Sequence, residues 1–355
     1  MRNKTKNLIF AALFIVATTA VCIYSIHQKE LFKPASSVDF IMNTVVEQRL
    51  YGKNSEKAVQ QVTNALADFE KLLSTYVVGS EIDQINKAAG EHSVKISPTT
   101  MELLLLSKDY CESSGGLVDI TIAPLILEWG ITSDNPHVPS KETINSLLKL
   151  VNHKELVLDE QQSTAMLLNK GQAIDLGAIA KGYSCDIFRR VTQENGIKSG
   201  YASIGGNMVV IGKNPDGTDF RFGIRDPRGD ETKYIGSLSL EGKTMATSGD
   251  YERFFMENGV RYHHILDPRT GFPADGGLIS VSVISENGAL ADFLSTELFI
   301  AGKQEALKKM NEPDYKLVLV DDEMNVFVSS ALEEDFIVNP DAKGKYTYSF
   351  VGGAK

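Results

Sequence analysis

The chain has 355 residues, of which 43% are hydrophobic and 23% charged, and its formal net charge at pH 7 is −10. Proteins that bind nucleic acid need a basic surface for the phosphates, so this acidic balance argues against nucleic acid as a partner. Three cysteines imply no disulfide framework, and the length is sufficient to bury a large core in one or two domains.

The N-terminal segment has the pattern of a membrane-targeting sequence. Three basic residues precede an almost uninterrupted apolar stretch over residues 8–26. That stretch is long enough for one membrane span, which takes about 20 residues, and its basic flank is expected to stay cytoplasmic. We therefore predict an anchor or signal over residues 1–30, a linker over 31–37, and a domain over 38–355 on the extracytoplasmic face of the cell membrane.

The form of this attachment is open at the level of sequence. Cys22 follows Thr-Ala-Val, which is a poor match to a lipoprotein cleavage box, because a small residue normally precedes the cysteine. An uncleaved helix, a lipid anchor on Cys22 and a cleaved signal all fit the pattern. We expect one of the first two, so that the cell membrane is itself a partner.

The remainder of the chain mixes helical and extended patterns. Apolar residues recur at helical spacing over the ranges 56–73, 99–111, 141–150, 177–194 and 290–302. Strands are predicted over the ranges 38–46, 156–158, 165–168, 200–204, 207–212, 220–225, 234–240, 260–266, 278–284, 316–329 (a hairpin) and 345–351. Since these elements do not alternate as regular βαβ units, we expect an α+β fold with mixed or antiparallel strands and packed helices.

Asp175, Gly177 and Lys181 cluster at the predicted start of the helix over 177–194. A helix N-terminus presents unpaired N–H groups and the positive end of the helix dipole, so it suits a phosphate. Asp175 is either part of such a site or a simple N-cap. Lys181 either steadies a phosphate or only lies along the surface.

The predicted helix over 290–302 carries a second candidate site. Asp292 and Thr296 are four residues apart, and Ser295 is three residues from Asp292, so their oxygens share one helix face. A carboxylate and hydroxyls that point the same way suit a hard cation such as Mg²⁺. The alternative is a solvated polar face with one local hydrogen bond.

Three smaller features complete the candidate set. Residues 118–121 are expected to form a strand with Asp119 and Thr121 on one side. Tyr76, at a helix end, either stacks on a flat ring or caps the core. No G-x-G-x-x-G motif follows a strand, and the stretch 236–244 has one residue too many between its glycines for a P-loop, so we interpret it as a turn.

Taken in order, these segments resemble the ApbE family of FAD:protein FMN transferases over roughly residues 38–330. The matching segments are 42–44, 69–76, 80–86, 118–124, 174–182, 205–207, 246–249, 264–271 and 291–296. Asn43 replaces the glycine usual in the family, and Leu266 replaces an isoleucine. The resemblance implies a T-fold-like α+β architecture.

The resemblance also implies an activity and a set of site residues. The enzyme would cleave FAD, attach FMN through a phosphoester to a Thr or Ser of an acceptor flavoprotein, and release AMP. The expected FAD contacts are Met42, Tyr76, Asp119, Ile120, Thr121, Asp175, Lys181 and Leu266. The expected Mg²⁺ ligands are the Ala178 carbonyl, Asp292 and Thr296, with Ser295 nearby.

His264 is the candidate general base for the acceptor hydroxyl, with an imidazole pKa expected near the reference value of about 6.5. The alternative is that it only braces the turn that follows it, and its neighbour His263 is expected to be structural or at the surface. Two other functions are alternatives, of which only the first would use the same site residues. One is an FAD pyrophosphatase that gives FMN and AMP, and the other is an extracytoplasmic flavin-binding protein without catalysis.

Overall fold

The computed structural model describes residues 33–352 and, before them, positions 16, 18 and 19. Apart from those three positions, the predicted anchor over 1–30 lies outside the described residues. Within the part described, no helix combines the length and the hydropathy that a membrane crossing requires.

Residues 33–352 contain helices of very different length and many short strands. The helices are α1 (Ser55–Leu73), α2 (Glu81–Lys87), α3 (Pro98–Ser113), α4 (Ala123–Trp129), α5 (Lys141–Leu147), α6 (Ala180–Glu194), α7 (Gly288–Ala301) and α8 (Lys303–Lys308). The strands are β1 (Pro34–Ile41), β2 (Thr44–Tyr51), β3 (Val94–Lys95), β4 (Leu156–Asp159), β5 (Thr164–Leu167), β6 (Ser199–Ile204), β7 (Asn207–Ile211), β8 (Arg221–Arg225), β9 (Tyr234–Ser239), β10 (Thr244–Gly249), β11 (Phe254–Glu257), β12 (Val260–His263), β13 (Leu278–Ser285), β14 (Tyr315–Asp321), β15 (Asn325–Ser329), β16 (Ile337–Val338) and β17 (Thr347–Val351).

A nine-stranded sheet forms the centre of the fold, in the order β1-β2-β6-β7-β10-β13-β14-β15-β17. Its neighbouring strands are antiparallel except β15 and β17, which pair in parallel. Three smaller sheets, β16-β9-β8, β3-β5-β4 and β11-β12, lie around it. The predicted α+β class with mixed and antiparallel strands is confirmed.

Apolar residues cover both faces of the central sheet. Every residue of β13 is buried, and successive side chains enter different cores. Val281 and Val283 pack in the larger core with α1, α6 and α7, whereas Ile279 and Ile284 pack in the smaller core beneath β8 and β9. Both faces of β13 are therefore buried, and its polar residues are three small serines whose hydroxyls have hydrogen-bond partners.

The predicted strand over 38–46 is wrong in detail, because it is a tight hairpin of β1 and β2. Met42 and Asn43 form its two-residue connection, with φ angles of 56° and 54°. Two successive positive φ angles are the signature of a type I′ turn, which normally takes Asn and Gly. Met42 is therefore held in a conformation that is unfavourable for its side chain, and such positions concentrate at functional sites.

Helices α6 and α7 approach each other so closely that only glycine fits at the contact. A Cβ atom added to Gly182 would lie 2.2 Å from the carbonyl oxygen of Gly288, and one added to Gly288 would lie 2.4 Å from that of Gly182. The absence of side chains lets the backbones touch. The contact places Asp292, one turn along α7, against the first turn of α6.

Three local predictions are corrected by the structure. The helix expected over 177–194 begins at Ala180, so 177–179 form a turn before it. Residues 118–121 are not a strand but a turn that leads into α4. The P-loop-like stretch 236–244, interpreted as a turn, is a strand–turn–strand connection.

Candidate active site

A cavity of about 730 Å³ opens between the β1–β2 hairpin, the loop after α1, the start of α6 and the end of β10. We call it the site cavity. Most of the predicted site residues line it, namely Met42, Tyr76, Asp119, Ile120, Asp175, Ala178, Lys181, His264, Leu266 and Thr296. The other three, Thr121, Asp292 and Ser295, are buried behind its wall.

Asp292 is a buried carboxylate with specific partners, not part of the solvated face considered from the sequence. Its Oδ2 accepts the backbone N–H of Gly182 at 2.9 Å, and its Oδ1 accepts the side-chain amide of Asn207 at 2.9 Å. The Nζ of Lys181 lies 3.4 Å from Oδ1. A buried carboxylate with two amide donors and one cation is well compensated, and its remaining lone pairs can still bind a metal.

Hydroxyl groups surround the next turn of α7. The Oγ of Ser248 lies 2.8 Å from that of Ser295 and 3.2 Å from Oγ1 of Thr296. The Ser295 hydroxyl also lies 2.8 Å from the backbone oxygen of Asp292 and can donate to it. Thr296 faces the site cavity, whereas Ser295 is fully buried and points back along its own helix.

Lys181 shows where a cation is favoured. Its ammonium donates to the carbonyl oxygen of Gly177 at 3.1 Å while it faces the Asp292 carboxylate at 3.4 Å. The possible metal ligands around this ammonium are oxygens of one carboxylate, of hydroxyl groups and of backbone carbonyls, and these are the ligands that Mg²⁺ prefers. Among the described residues no group of three or more His, Cys, Asp or Glu could hold a metal ion, so a metal here would depend on hydroxyl, backbone or substrate oxygens beside Asp292.

Asp175 caps a turn and not the helix itself. Its Oδ1 accepts the N–H of Gly177 at 2.7 Å, three residues before α6 begins. Its backbone N–H donates to the carbonyl of Ile120 at 2.8 Å, which ties this turn to the one before α4. Burial raises the pKa of Asp175, against the opposing hydrogen bond from Gly177 and the charge of Lys181.

Asp119 and Thr121 form a closed hydrogen-bond network. Oδ1 of Asp119 accepts both the N–H and the hydroxyl of Thr121, at 2.8 and 2.6 Å. Its Oδ2 accepts the backbone N–H of His153 and lies 2.8 Å from Nδ1 of that ring. The Thr121 hydroxyl also accepts the N–H of Asn152 at 2.7 Å, so the structure does not bring this side chain to the cavity.

His264 is half-buried and faces the site cavity. Desolvation lowers the pKa of His264 to about 3, and the positive charge of Arg253 is the next cause. The imidazole is therefore neutral throughout the physiological range, and its pKa is below the expected value of about 6.5. Nδ1 lies 3.3 Å from the carbonyl oxygen of Arg253, which can only accept, so Nδ1 carries the proton and Nε2 keeps the free lone pair.

His263 has a structural position. Its ring is buried, lies 5.4 Å from the ring of Phe299, and directs Nε2 to the carbonyl of Ala274 at 3.0 Å. Desolvation lowers the pKa of His263 as well. It is the adjacent His264 that reaches the cavity.

Aromatic and apolar groups form the rest of the wall. Tyr76 is 59% exposed and lines the cavity, so it does not cap the core. Leu266 is buried beside Trp129 and exposes only part of its surface to the cavity. Trp129 donates from Nε1 to the carbonyl of Gly271 at 2.8 Å, which fixes the turn after Leu266.

Several cavity residues were not among the predicted site residues. Ser248 lies near the end of β10 and lines the cavity, whereas Asn207 is buried behind the wall and reaches Asp292 across 85 residues of sequence. Arg225 and Arg253 also line the cavity. Isolated arginines in β-rich sequence carry no local signal, so only the fold reveals that they converge on this wall.

Comparisons with known proteins agree with the geometry. The FAD:protein FMN transferase of Klebsiella pneumoniae (strain 342) is 32% identical over 291 residues, which cover 82% of this chain and 90% of that protein. The FAD:protein FMN transferase of Treponema pallidum (strain Nichols) is 30% identical over 294 residues, with coverage of 78% and 81%. The crystal structure of the ApbE protein from Thermotoga maritima superposes with a TM-score of 0.80 at 31% identity, covering 85% of this chain and 99% of that one. The sequence model of the ApbE family matches residues 42–319, and this chain belongs to the ApbE family.

Proposed function

We propose that this member of the ApbE family is an FAD:protein FMN transferase. It binds FAD, transfers the FMN moiety to a Thr or Ser hydroxyl of an acceptor flavoprotein, and releases AMP, in a reaction that depends on Mg²⁺. The names of its relatives in Klebsiella pneumoniae and Treponema pallidum support the transferase activity.

One observation carries the proposal: a neutral imidazole, a buried carboxylate and an exposed aromatic ring converge on a single cavity. These groups are His264, Asp292 behind the wall, and Tyr76 at the rim. The volume of about 730 Å³ lies in the range of cofactor sites. A protein that only binds flavin has no need of a base beside an oxygen-rich cation site, whereas both groups assist the transfer of a phosphoryl group to a hydroxyl.

The residues around Asp292 would hold Mg²⁺ through the Ala178 carbonyl, the Asp292 carboxylate and the Thr296 hydroxyl, with Ser295 nearby. When bound, the ion would neutralise negative charge on the pyrophosphate. The chain itself is acidic, so local positive groups are needed for an anionic substrate to bind. Lys181 and the turn before α6 supply such groups on the same side of the cavity.

His264 accepts the proton in this proposal. The acceptor hydroxyl gives its proton to Nε2 as its oxygen bonds to the FMN phosphorus. The bond between that phosphorus and the bridging oxygen breaks, and AMP leaves with the electron pair. Tyr76 holds the flavin by stacking on the isoalloxazine ring, while Met42, Asp119, Ile120, Asp175 and Leu266 shape the rest of the FAD site, with Thr121 fixing the Asp119 turn behind it.

We also propose that the enzyme acts on the extracytoplasmic face of the cell membrane, attached through its N-terminal segment or through a lipid on Cys22. The support is the basic flank followed by the apolar stretch over residues 8–26. Fractionation of the producing cells tests this attachment, and removal of residues 1–30 should release the protein from the membrane.

The activity is tested by incubation of the purified protein with FAD, Mg²⁺ and an extract of the producing cells. Transfer predicts protein bands that keep flavin fluorescence in a denaturing gel, together with stoichiometric AMP. FMN and AMP without labelled protein would instead identify a pyrophosphatase. FAD that binds but stays intact would identify a flavin-binding protein without catalysis.

A further inference from the structure

No carboxylate among the described residues lies at ion-pair distance from the guanidinium group of Arg253. Arg253 is exposed, lines the site cavity, and forms no side-chain hydrogen bond or ion pair within the described residues. The nearby arginines differ from Arg253 because each lies at ion-pair distance from a carboxylate. Arg228 binds Asp250 at 2.7 Å, Arg261 lies 3.6 Å from Asp250, and Arg225 lies 3.4 Å from Glu252.

The backbone of Arg253 is fixed beside the proposed base. Its carbonyl oxygen accepts the N–H of His264 at 3.1 Å and faces Nδ1 of that ring at 3.3 Å. These contacts extend the ladder of β11 and β12, in which Phe254 pairs with His263. The guanidinium is therefore anchored one residue from a rigid hairpin, on the same wall as the imidazole.

Lys181, the other cavity cation near this wall, is already engaged. It binds the Gly177 carbonyl and faces the Asp292 carboxylate. Burial raises the pKa of Asp175, although the hydrogen bond from Gly177 and the charges of Lys181 and Arg253 oppose that shift. Arg253 is thus the cavity cation whose charge no described carboxylate neutralises at ion-pair distance.

We propose that Arg253 binds the pyrophosphate of FAD and holds it next to His264. The inference rests on the proposed function for the identity of the anion. A guanidinium presents a planar fork of donors that matches two phosphate oxygens, and such charge-assisted pairs are stronger than neutral hydrogen bonds.

This arrangement links substrate binding to the strength of the base. The groups whose charge acts on His264 are Arg253, Lys181 and His263, all of which favour its neutral form after desolvation. A pyrophosphate that neutralises Arg253 removes part of this effect and adds negative charge nearby. The imidazole therefore becomes more basic when FAD is bound than when the cavity holds only water.

The test compares the binding of FAD with that of riboflavin, which has the same ring system but no phosphate. Arg253→Ala should weaken FAD binding roughly 10- to 100-fold, the range for loss of a charge-assisted hydrogen bond, and leave riboflavin binding unchanged. The FAD affinity of Arg253→Lys should lie between those of the wild type and Arg253→Ala, because lysine keeps the positive charge but lacks the planar fork of donors. Arg261→Ala, on the same hairpin but paired outside the cavity, is the matched control and should bind both ligands normally.

A second readout separates direct binding from a structural effect. Removal of the Arg253 charge should raise the pKa of His264 in the ligand-free protein, visible as an upward shift of its imidazole titration in NMR. Wild-type FAD affinity in Arg253→Ala, or an equal loss of riboflavin binding, would overturn the inference. Because these measurements need no acceptor, they remain decisive even if wild-type protein proves not to transfer FMN.

Discussion

The backbone N–H of Gly182 donates to Oδ2 of Asp292 at 2.9 Å and joins the first turn of α6 to α7. The bond exists because Gly182 and Gly288 let the two helices touch. It directs the carboxylate toward the positive end of the α6 dipole and leaves the Thr296 hydroxyl on the cavity side. The orientation of the proposed metal ligands is thus set by a contact between two glycines.

Substitution of Asp292 should affect both stability and activity. Asp292→Ala leaves the N–H of Gly182 and the amide of Asn207 without an acceptor, so we expect a loss of about 1–3 kcal/mol in the free energy of unfolding. Transfer should fall more than about a hundredfold through loss of the carboxylate ligand. Urea denaturation and initial rates of AMP release measure the two effects.

Asp292→Asn separates these effects, because it keeps the side-chain volume and loses the charge. It should retain more stability than the alanine variant yet remain almost inactive at any Mg²⁺ concentration. Glu297→Gln removes one carboxylate charge from the same helix away from the cavity lining and should transfer normally. A fully active Asp292→Asn protein in the presence of a chelator would show that no metal is held there.

Gly182→Ala tests the helix contact directly. The new Cβ would lie 2.2 Å from the Gly288 oxygen and 2.5 Å from Cβ of Asp292, so the helices must move apart. Overpacking of this kind costs about 1–3 kcal/mol, and the displaced carboxylate should raise the Mg²⁺ concentration needed for half-maximal activity. Arg190→Ala, on the exposed side of α6, should change neither quantity.

Tyr76 should bind the flavin through its ring and not through its hydroxyl. Tyr76→Ala is expected to weaken FAD affinity by about 1 kcal/mol or more, whereas Tyr76→Phe should be almost silent. Riboflavin affinity should fall in parallel, because the contact is to the ring system. Flavin fluorescence titration measures both, with the exposed neighbour Val78→Ala as control; unchanged affinity in Tyr76→Ala would remove the residue from the FAD site.

The pH dependence follows from the low pKa of His264. Because a folded-state pKa of about 3 leaves the imidazole neutral, kcat/KM, which reports the free enzyme, should show no histidine limb between pH 8 and 5. Bound FAD raises that pKa, so the acid limb of kcat should lie at higher pH than that of kcat/KM. A kcat/KM limb centred near 6.5 would contradict the buried, neutral imidazole.

The low pKa of His264 also makes the stability of the folded protein depend on pH. The unfolded chain protonates His264 near pH 6.5, whereas the folded chain does so only near pH 3. Between these values the unfolded state binds more protons, so stability falls as pH decreases below about 6.5. His264→Gln should reduce this loss in thermal melts, while it transfers FMN about 10²- to 10⁴-fold more slowly at saturating FAD.

Local pattern was sufficient for the long helices and the fold class. The period-3.6 stripes over 56–73 and 290–302 match α1 and α7 within two residues, since helical periodicity needs only neighbours in sequence. Local pattern failed where a backbone N–H donates to a nearby side chain and a turn replaces the regular helix or strand. Asp119 and Asp175 each accept an N–H two residues on, which makes turns of stretches expected as a strand and as a helix start.

The environment of the site could not be read from the sequence for a related reason. The spacing of Asp292, Ser295 and Thr296 predicts a shared face, but not that the carboxylate is buried against α6. That burial depends on a glycine contact between segments more than one hundred residues apart. The depressed pKa of His264 likewise depends first on desolvation in the folded protein and then on the charge of Arg253, which reaches it through a hairpin pairing.

The most direct test of FMN transfer is peptide mass spectrometry of the proteins of the producing cells after incubation with this enzyme, FAD and Mg²⁺. We expect Thr- or Ser-containing peptides whose mass increases by that of FMN less one water, with AMP formed in equal amount. At the same early time point, these peptides should form at least about a hundredfold less when His264→Ala replaces the wild-type enzyme. FAD converted to free FMN and AMP, with no modified peptide from any protein, would contradict the account.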